Sequence, residues 1–560
     1  MHPRHALAAI ALTLTALCLP HASASPALED LFERAWEADL KQNPLLASNL
    51  GDLRYNDQWP NLSLAAIDAS HASDKAFLAE IKAMDASKLE GQDRVNYDLF
   101  QREYAERVAN HRFRTFLIPL NQRGGIQTAN QIVDRLRFDS EQSYEDWLVR
   151  LQNFDTYMDQ TIALMRQGVR EGLVHPKVIM ERLPAQIGRQ LVDVADSPFL
   201  TPFETQPEFM PDRAWAKLTK AAHKAVSDEV LPAYREFYRF FEEEYLPACR
   251  ESVGVWGIPD GREYYAERVK QFTTTDLTPD EVHEIGLKEV ARIRSEMMKI
   301  IEQVEFEGDF KAFLNFLRTD DQFYFDNADD LYTEYLAVSK RIDPELVKLF
   351  NNLPRMPYGV KPIPDAIAPD TTTAYYSRPA ADGSRAGYYY VNLYRPEVRP
   401  KYEIEVLTVH EAMPGHHLQI ALSQELGELP PFRRYGGYTA FVEGWALYSE
   451  SLGADLGLYK DPYSRFGQLT YEMWRAVRLV VDTGMHHKEW NRQQAIDFFR
   501  DNAAKTEHDI VNEIDRYIAW PGQALAYKIG ELRIKELRAR AEKALGDNFD
   551  IRAFHDVVLR

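Results

Sequence analysis

Apolar residues recur at intervals of three and four along most of this chain, and this spacing constrains its fold more than any other feature. The clearest example starts at Thr278, where the run from Thr278 to Glu281 combines a capping box with proline at the first helical position. Apolar residues then follow at helical spacing from Val282 to Val304. The sequence therefore predicts a long amphipathic helix that begins beside Thr278.

Similar spacing predicts helices in seven other segments. These are 27–40, 140–168, 227–245, 344–353, 404–426, 440–456 and 471–481. The stretch 354–400 differs, because it is rich in Pro, Gly and Tyr, and its run from Tyr388 to Leu393 predicts a strand. Such a strand could offer an edge to an extended peptide, or form a short structural hairpin. We expect a mainly all-α protein with a small β element near residues 370–395.

Residues 1–24 resemble a secretion signal. An apolar run from Ala6 to Leu19 precedes Ala22-Ser23-Ala24, the small-x-small pattern that signal peptidase recognises. We therefore expect an exported protein, periplasmic or secreted, whose mature chain begins near Ser25. No later stretch offers about 20 consecutive apolar residues, so no membrane span is expected.

Two cysteines occur, Cys18 and Cys249. Leu17 stands directly before Cys18, where a lipobox needs a small residue, and this disfavours lipidation. Because Cys18 departs with the signal, the mature chain has no pair for an internal disulfide. Its stability must therefore come from burial, for which a chain of this length has ample surface.

The net charge of the chain excludes some classes of partner, and its composition indicates how it is divided into domains. The chain has 66 Lys and Arg against 86 Asp and Glu, a net charge of −20, which disfavours nucleic acid as a partner. There is no internal repeat, low-complexity tract or flexible linker. Residues 25–560 are predicted to form a single helical unit, in which a boundary near residue 250 would separate two lobes, about 25–250 and 251–560.

The segment from His410 to Gln419 places a His-Glu pair and a His-His pair on a predicted helix. It resembles the HExxH zinc motif, in which two histidines one turn apart bind one ion and the glutamate is the general base. On a regular helix His416 would lie about 240° around and roughly 9 Å along from His410. His417 would return to the same face, but about 10.5 Å away. An unbroken helix therefore makes a poor site.

Pro414 and Gly415 lie between the histidines and change this geometry. Pro414 cannot donate to the carbonyl of His410, four residues back, and its ring crowds that carbonyl. Gly415 permits backbone angles that other residues avoid. We predict that the helix bulges or breaks here and brings His416 beside His410, with His417 as the alternative ligand.

A catalytic zinc site has three protein ligands and leaves one position for water. Glu443 is predicted as the third ligand, because its apolar helical run should face the core, where a carboxylate needs a cationic partner; an exposed position is the alternative. Glu450, seven residues on, is interpreted as a group that orients a ligand. One zinc ion per chain is expected, although cobalt or manganese could occupy such a site.

Three segments carry a resemblance to a known family. They are His410 to Gln419, Glu443 to Glu450, and Arg516-Tyr517 followed by Pro521 to Leu525. They resemble the signatures of the bacterial family called domain of unknown function 885, and the resemblance extends from about residue 30 to the C-terminus. That family is similar in its catalytic helices to helical zinc metallopeptidases, including the Taq-type carboxypeptidases, the thimet-type oligopeptidases and angiotensin-converting enzyme. In these enzymes the second histidine commonly follows glycine, which favours His416 over His417.

The resemblance implies a large helical fold with a central cleft or channel, and a zinc metallopeptidase that acts on short peptides. It implies that zinc polarises the scissile carbonyl while Glu411 takes a proton from water and passes it to the leaving amine. The developing oxyanion needs a further donor, for which His486, Arg478 and Tyr517 are the candidates.

Arg475, Arg478, Asp482 and His486 recur at three- and four-residue intervals in an apolar segment. This polar stripe should face inward onto a cleft, or form a buried structural ion-pair network. Two other functions stay open: a zinc hydrolase of non-peptide amides, and a catalytically silent metal-binding or peptide-binding protein. The retained Glu411 argues against the second, because a ligand cage would not need that carboxylate.

Overall fold

The computed structural model of the protein describes residues 26–559, except 366, 367, 369–371, 381, 382, 384 and 428. The signal-like segment 1–24 therefore lies outside the described residues. The described part is mainly helical, as predicted. Its helices are α1 Pro26–Gln42, α2 Pro44–Leu50, α3 Leu64–Ala83, α4 Gly91–Asn110, α5 Glu141–Gln152, α6 Phe154–Glu171, α7 Lys177–Met180, α8 Leu183–Gly188, α9 Asp212–Ala225, α10 Leu231–Phe240, α11 Leu246–Ala248, α12 Gly261–Thr273, α13 Pro279–Gln303, α14 Phe310–Thr319, α15 Ala328–Ile342, α16 Ile404–Glu411, α17 His416–Glu425, α18 Pro431–Tyr435, α19 Thr439–Leu452, α20 Pro462–His486, α21 Arg492–Asn502, α22 Glu507–Ala519, α23 Ala526–Leu545 and α24 Ile551–Leu559.

The predicted capping box at Thr278 is confirmed. The Thr278 hydroxyl accepts from the amide of Glu281 at 3.2 Å, and the Glu281 carboxylate accepts from the amide of Thr278 at 2.8 Å. The helix that starts there, α13, packs along α20, and each has 25 residues. The two helices meet closely at Gly286, where a Cβ atom would stand 2.7 Å from the Cβ of Leu479.

The largest apolar cluster of buried residues joins the two halves of the sequence. It contains Trp147 and Phe237 from before residue 250 together with Met473 and Ile514 from after it. A second cluster, which includes Tyr389 and Trp445, surrounds α16 and α19. Among the described residues, no helix combines the length and the apolar character that crossing a bilayer requires.

The small β element has three strands, β1 Tyr358–Pro362, β2 Ala374–Ser377 and β3 Gly387–Val391. Their order is β1-β3-β2, with β3 parallel to β1 and antiparallel to β2. The strand predicted at 388–393 is thus present as β3, within shorter bounds. The idea that it offers a free edge to a peptide is wrong, because β1 and β2 already pair with both of its sides.

Two predicted helices differ from the structure. The segment 140–168 is divided into α5 and α6 at Asn153, whose non-helical backbone ends α5 while its side-chain amide donates to the Val149 carbonyl at 2.8 Å. The predicted helix 344–353 is only a short 3₁₀ helix, Asp343–Lys348. Pro354 disfavours the helical conformation in the residue before it, so the apolar spacing there does not extend into an α-helix.

Candidate metal centre

A sharp break separates the two histidines of the motif. Helix α16 ends at Glu411 and α17 begins at His416, with non-helical backbone at Ala412 and Gly415. A Cβ atom at Gly415 would stand 1.9 Å from the carbonyl oxygen of His410, so only glycine fits at this position. The break predicted from the Pro-Gly sequence is confirmed.

Helix α19 holds this break in place. The indole N–H of Trp445 donates to the carbonyl of Pro414 at 2.9 Å, and the Ser449 hydroxyl donates to the same oxygen at 3.3 Å. The same helix carries Glu443 and Glu450. The turn between the histidines and the two predicted carboxylates are therefore positioned by one packed unit.

Three of the predicted side chains converge. The Nε2 atoms of His410 and His416 lie 4.0 and 3.7 Å from Oε2 of Glu443, and ligand atoms from the three residues all lie within 4.8 Å of one another. Within the described residues this is the one group of three or more such side chains that could hold a metal ion. Two imidazoles and one carboxylate are a donor set of catalytic zinc sites, so the residues fit this ion.

Glu450 orients the first histidine. Its Oε1 atom lies 2.7 Å from Nδ1 of His410, which leaves Nε2 of that ring facing Glu443. Burial raises the pKa of Glu450 to about 8, an effect that the charge of Arg475 opposes. Burial, together with the nearby His416 and arginines, lowers the pKa of His410 well below its usual value. A neutral imidazole is the form that binds a metal.

His417 is placed elsewhere. Its Nδ1 atom lies 2.8 Å from the hydroxyl of Tyr376 on β2, and its Nε2 atom lies 3.0 Å from the carbonyl of Met356. Both ring nitrogens are therefore engaged, and the ring ties α17 to the segments around the sheet. The structure brings His416 to the cluster and not the alternative ligand His417.

Glu411 directly follows a cluster residue and is half-buried. Burial raises the pKa of its carboxyl group, while His416 lowers it and Glu443 raises it further. A carboxylate with a raised pKa is a stronger proton acceptor near neutral pH. The position and environment of Glu411 therefore suit the role of general base that the motif predicts.

The far end of the polar stripe on α20 is structural. Nδ1 of His486 accepts from the amide of Val255 at 3.1 Å, and Nε2 lies 3.0 Å from the carbonyl of Tyr517. Burial lowers the pKa of this ring to about 3. With both nitrogens engaged by the main chain, His486 has no N–H left for an oxyanion, and we leave it out of the proposed machinery. Asp482 likewise accepts from the Tyr265 hydroxyl and the amide of Gly522.

Tyr517 is fully buried, and its hydroxyl is already engaged. The hydroxyl accepts from Nε of Arg478 at 2.7 Å and from the indole of Trp474 at 3.3 Å, and it donates to Glu513. Tyr517 is thus placed to fix Arg478 and not to donate to a substrate.

Tyr527 is the residue that sequence reasoning missed. It is half-buried, and the guanidinium carbon of Arg478 lies 4.4 Å from the centre of its ring. Burial raises the pKa of its hydroxyl, and the neighbouring charge of Glu443 raises it further. Tyr527 is therefore close both to Arg478 and to Glu443 of the candidate metal cluster. The sequence offered one signal for this residue. The tyrosine lies directly before Lys528-Ile529-Gly530, in the helix that follows the signature-like segment 521–525.

Two glycines allow α19 and α23 to approach closely. A Cβ atom at Gly444 would stand 2.6 Å from the Cα of Gly530, and one at Gly530 would stand 2.0 Å from the Ala440 carbonyl oxygen. Glu443 is the neighbour of the first glycine, and Tyr527 lies one turn before the second. This backbone contact explains how residues of two helices reach the same site.

The comparisons with known proteins agree with this architecture. The family described as bacterial protein of unknown function (DUF885) matches residues 44–560. The chain belongs to this family. A search among curated proteins finds no significant match.

Two solved structures resemble the chain over almost their whole length. A crystal structure from Colwellia psychrerythraea, described as a putative lipoprotein, has a TM-score of 0.86 at 30% identity and covers 95% of each chain. A structure from Shewanella oneidensis, described as a putative lipoprotein of unknown function, has a TM-score of 0.74 at 18% identity and covers 96% of this chain and 97% of that one. The second likeness shows the fold alone.

Proposed function

We propose that this member of the DUF885 family is a zinc-dependent hydrolase, and specifically a metallopeptidase that cleaves short peptides. The observation that carries the proposal is the convergence of His410, His416 and Glu443 beside Glu411. In this proposal the three residues hold one zinc ion, which polarises the substrate carbonyl and lowers the pKa of water when bound.

Three other residues of the chain have separate roles in this proposal. Glu450 fixes the ring of His410 so that its Nε2 atom faces the ion. Glu411 accepts the proton of the attacking water and delivers it to the leaving amine. The hydroxyl of the half-buried Tyr527 is the donor we propose for the developing oxyanion, since the Tyr517 hydroxyl and the ring nitrogens of His486 are engaged elsewhere.

Export is part of the proposal. Residues 1–24 have the pattern of a secretion signal, and both structural relatives are described as lipoproteins. Cleavage after Ala24 would leave Ser25 at the N-terminus, whereas lipidation would leave a diacylated Cys18. Intact mass of the protein purified from the cell envelope separates the two, and retention of residues 1–24 would contradict export by this signal.

The first test is metal content, measured by elemental analysis of protein purified without added metal. Wild type should contain about one zinc per chain, and Glu443→Ala should contain almost none. Glu284→Ala is the matched control, because Glu284 belongs to another His-Glu pair and is exposed on α13. Wild type that stays empty after zinc is supplied would refute the metallohydrolase proposal and favour a helical binding protein.

A further inference from the structure

A cluster of buried charge beside the proposed site is incompletely paired. We call it the arginine cluster, and it consists of Arg478, Arg516, Glu513 and Tyr517. Nη2 of Arg478 lies 3.2 Å from Oε2 of Glu513, and Nη2 of Arg516 lies 3.0 Å from the same atom. Burial alone would raise the pKa of Glu513, but the two arginines more than offset it and lower that pKa to about 2. Two guanidinium groups therefore share one carboxylate.

One guanidinium nitrogen of this cluster has no partner. Nη1 of Arg478 is buried and makes no hydrogen bond within the described residues, and the Arg478 side chain is only 5% exposed. A buried charged donor that is left unpaired is costly, and buried arginines are usually paired with anions. The cluster thus has one excess positive charge and one guanidinium NH₂ group without a partner, which an anionic ligand would complete.

This nitrogen belongs to a side chain that faces the proposed active site. The guanidinium of Arg478 packs on the ring of Tyr527, whose hydroxyl pKa is raised by burial and further by the charge of the neighbouring Glu443. Arg475, one turn earlier on α20, lies 3.9 Å from Glu450, which holds His410. The side chains of Glu513 and Glu443 are each 21% exposed, so the two carboxylates on either side of this region both keep some contact with solvent.

We propose that Arg478 binds the C-terminal carboxylate of the peptide substrate, so that the enzyme acts as a carboxypeptidase. This inference rests on the proposed function of the neighbouring centre. A guanidinium presents its N–H groups in a fixed planar geometry that suits a carboxylate. Tyr517 and Glu513 hold Nε and Nη2 of Arg478 and so fix the orientation of Nη1, the nitrogen left for the substrate. The C–N bond that breaks is then near the chain end: water supplies OH to the carbonyl carbon and a proton to the leaving amine.

The first experiment changes only the substrate. Blocked tripeptides with a free C-terminal carboxylate are compared with the same peptides as C-terminal amides, and kcat/KM is measured with wild-type enzyme. The free acids should be cleaved about 10- to 100-fold faster, the range expected for hydrogen bonds to a charged group. Equal rates for acids and amides would overturn the inference and leave the metallopeptidase proposal intact.

The second experiment changes the arginine. Arg478→Met should reduce the acid-to-amide ratio to near one, and Arg478→Lys should restore part of it, since lysine keeps the charge but loses the fork. Arg294→Met is the matched control: this half-buried arginine on α13 pairs with Asn502. A ratio that stays at the wild-type value in Arg478→Met would refute the assignment.

A binding measurement separates this inference from the function on which it rests. Calorimetric titration of metal-free Glu411→Gln with the tripeptide acids and amides needs no turnover. Glu411→Gln should bind the acids more tightly than the amides, and the double variant that also carries Arg478→Met should bind the two equally. That result would support the carboxylate site even if wild type cleaves nothing. Equal binding of acids and amides would count against it whether or not peptides are cleaved.

Discussion

Two clusters of buried charge lie against helix α20, and they differ in how completely their charges are paired. The lysine cluster is centred on Lys528, whose Nζ atom lies 3.0 Å from Glu289, 2.8 Å from Glu472 and 2.7 Å from Glu531. Arg292 and Lys535 complete it, so three cations face three carboxylates. The arginine cluster, two turns away on the same helix, has two cations for one carboxylate.

One helix can therefore contribute both to stability and to function. Balanced buried charges satisfy one another and leave nothing for a ligand, so the lysine cluster is interpreted as structural. An excess guanidinium beside the candidate metal ligands is a poor contribution to stability and a good anion site. Substitutions that break the lysine cluster should therefore affect mainly stability, and substitutions at the proposed site should affect mainly activity.

Glu411→Gln tests the functional side of the comparison. Removal of a general base should reduce kcat for peptide hydrolysis by about 10²- to 10⁴-fold, because the amide cannot accept the proton from water. Zinc content by elemental analysis should stay near the wild-type value, since Glu411 is not a proposed ligand. Full activity in this variant would remove Glu411 from the mechanism.

Lys528→Met tests the structural side. It leaves Glu289, Glu472 and Glu531 close together without their central cation, and we expect the free energy of unfolding to fall by about 3–5 kcal/mol. Chemical denaturation measures this change. Arg478→Met is the comparison, and it should cost less because Glu513 keeps Arg516 as a partner. Equal losses in both variants would show that the two clusters do not differ as proposed.

Asp482 is another buried acidic residue on α20, and it accepts hydrogen bonds from two neutral groups, the Tyr265 hydroxyl and the Gly522 amide. Burial raises its pKa from 3.8 to about 7, so the folded state keeps a proton that the unfolded state loses. The resulting stability is present below pH 4 and is lost as pH rises through 7. Between pH 5 and 8 the loss is at most about 3 kcal/mol.

Asp482→Asn should flatten this pH dependence, because the amide does not ionise. Unfolding free energies of the variant and wild type at pH 5, 6, 7 and 8 measure the effect, with the exposed Asp276→Asn as control. A wild-type profile that is already flat between pH 5 and 8 would contradict the assignment.

Glu450→Gln tests whether the buried carboxylate of Glu450 supports metal binding at the candidate centre. The amide keeps the shape but weakens the hydrogen bond to Nδ1 of His410, and loss of such a partner typically costs 10- to 100-fold in metal affinity. Competition with a zinc chelator of known affinity measures this change. Unchanged affinity would reduce Glu450 to a structural partner of Arg475.

The helical architecture, the capping box at Thr278 and the break between His410 and His416 can all be predicted from the amino-acid sequence. These features follow from local physics: apolar spacing sets the buried face of a helix, and Pro414 with Gly415 prevents a regular helix wherever they occur. The same local reasoning selected Glu443, because a carboxylate in an apolar helix needs a partner.

Which of the candidate polar groups are free to bind a ligand depends on how the helices pack together. His417, His486 and Tyr517 lie in plausible sequence positions, but groups from distant segments occupy their ring nitrogens or hydroxyl. Tyr527 reaches the site only because α19 and α23 cross at two glycines. A side chain's availability depends on hydrogen-bond partners that are far away in the sequence, and spacing along one helix carries no information about them.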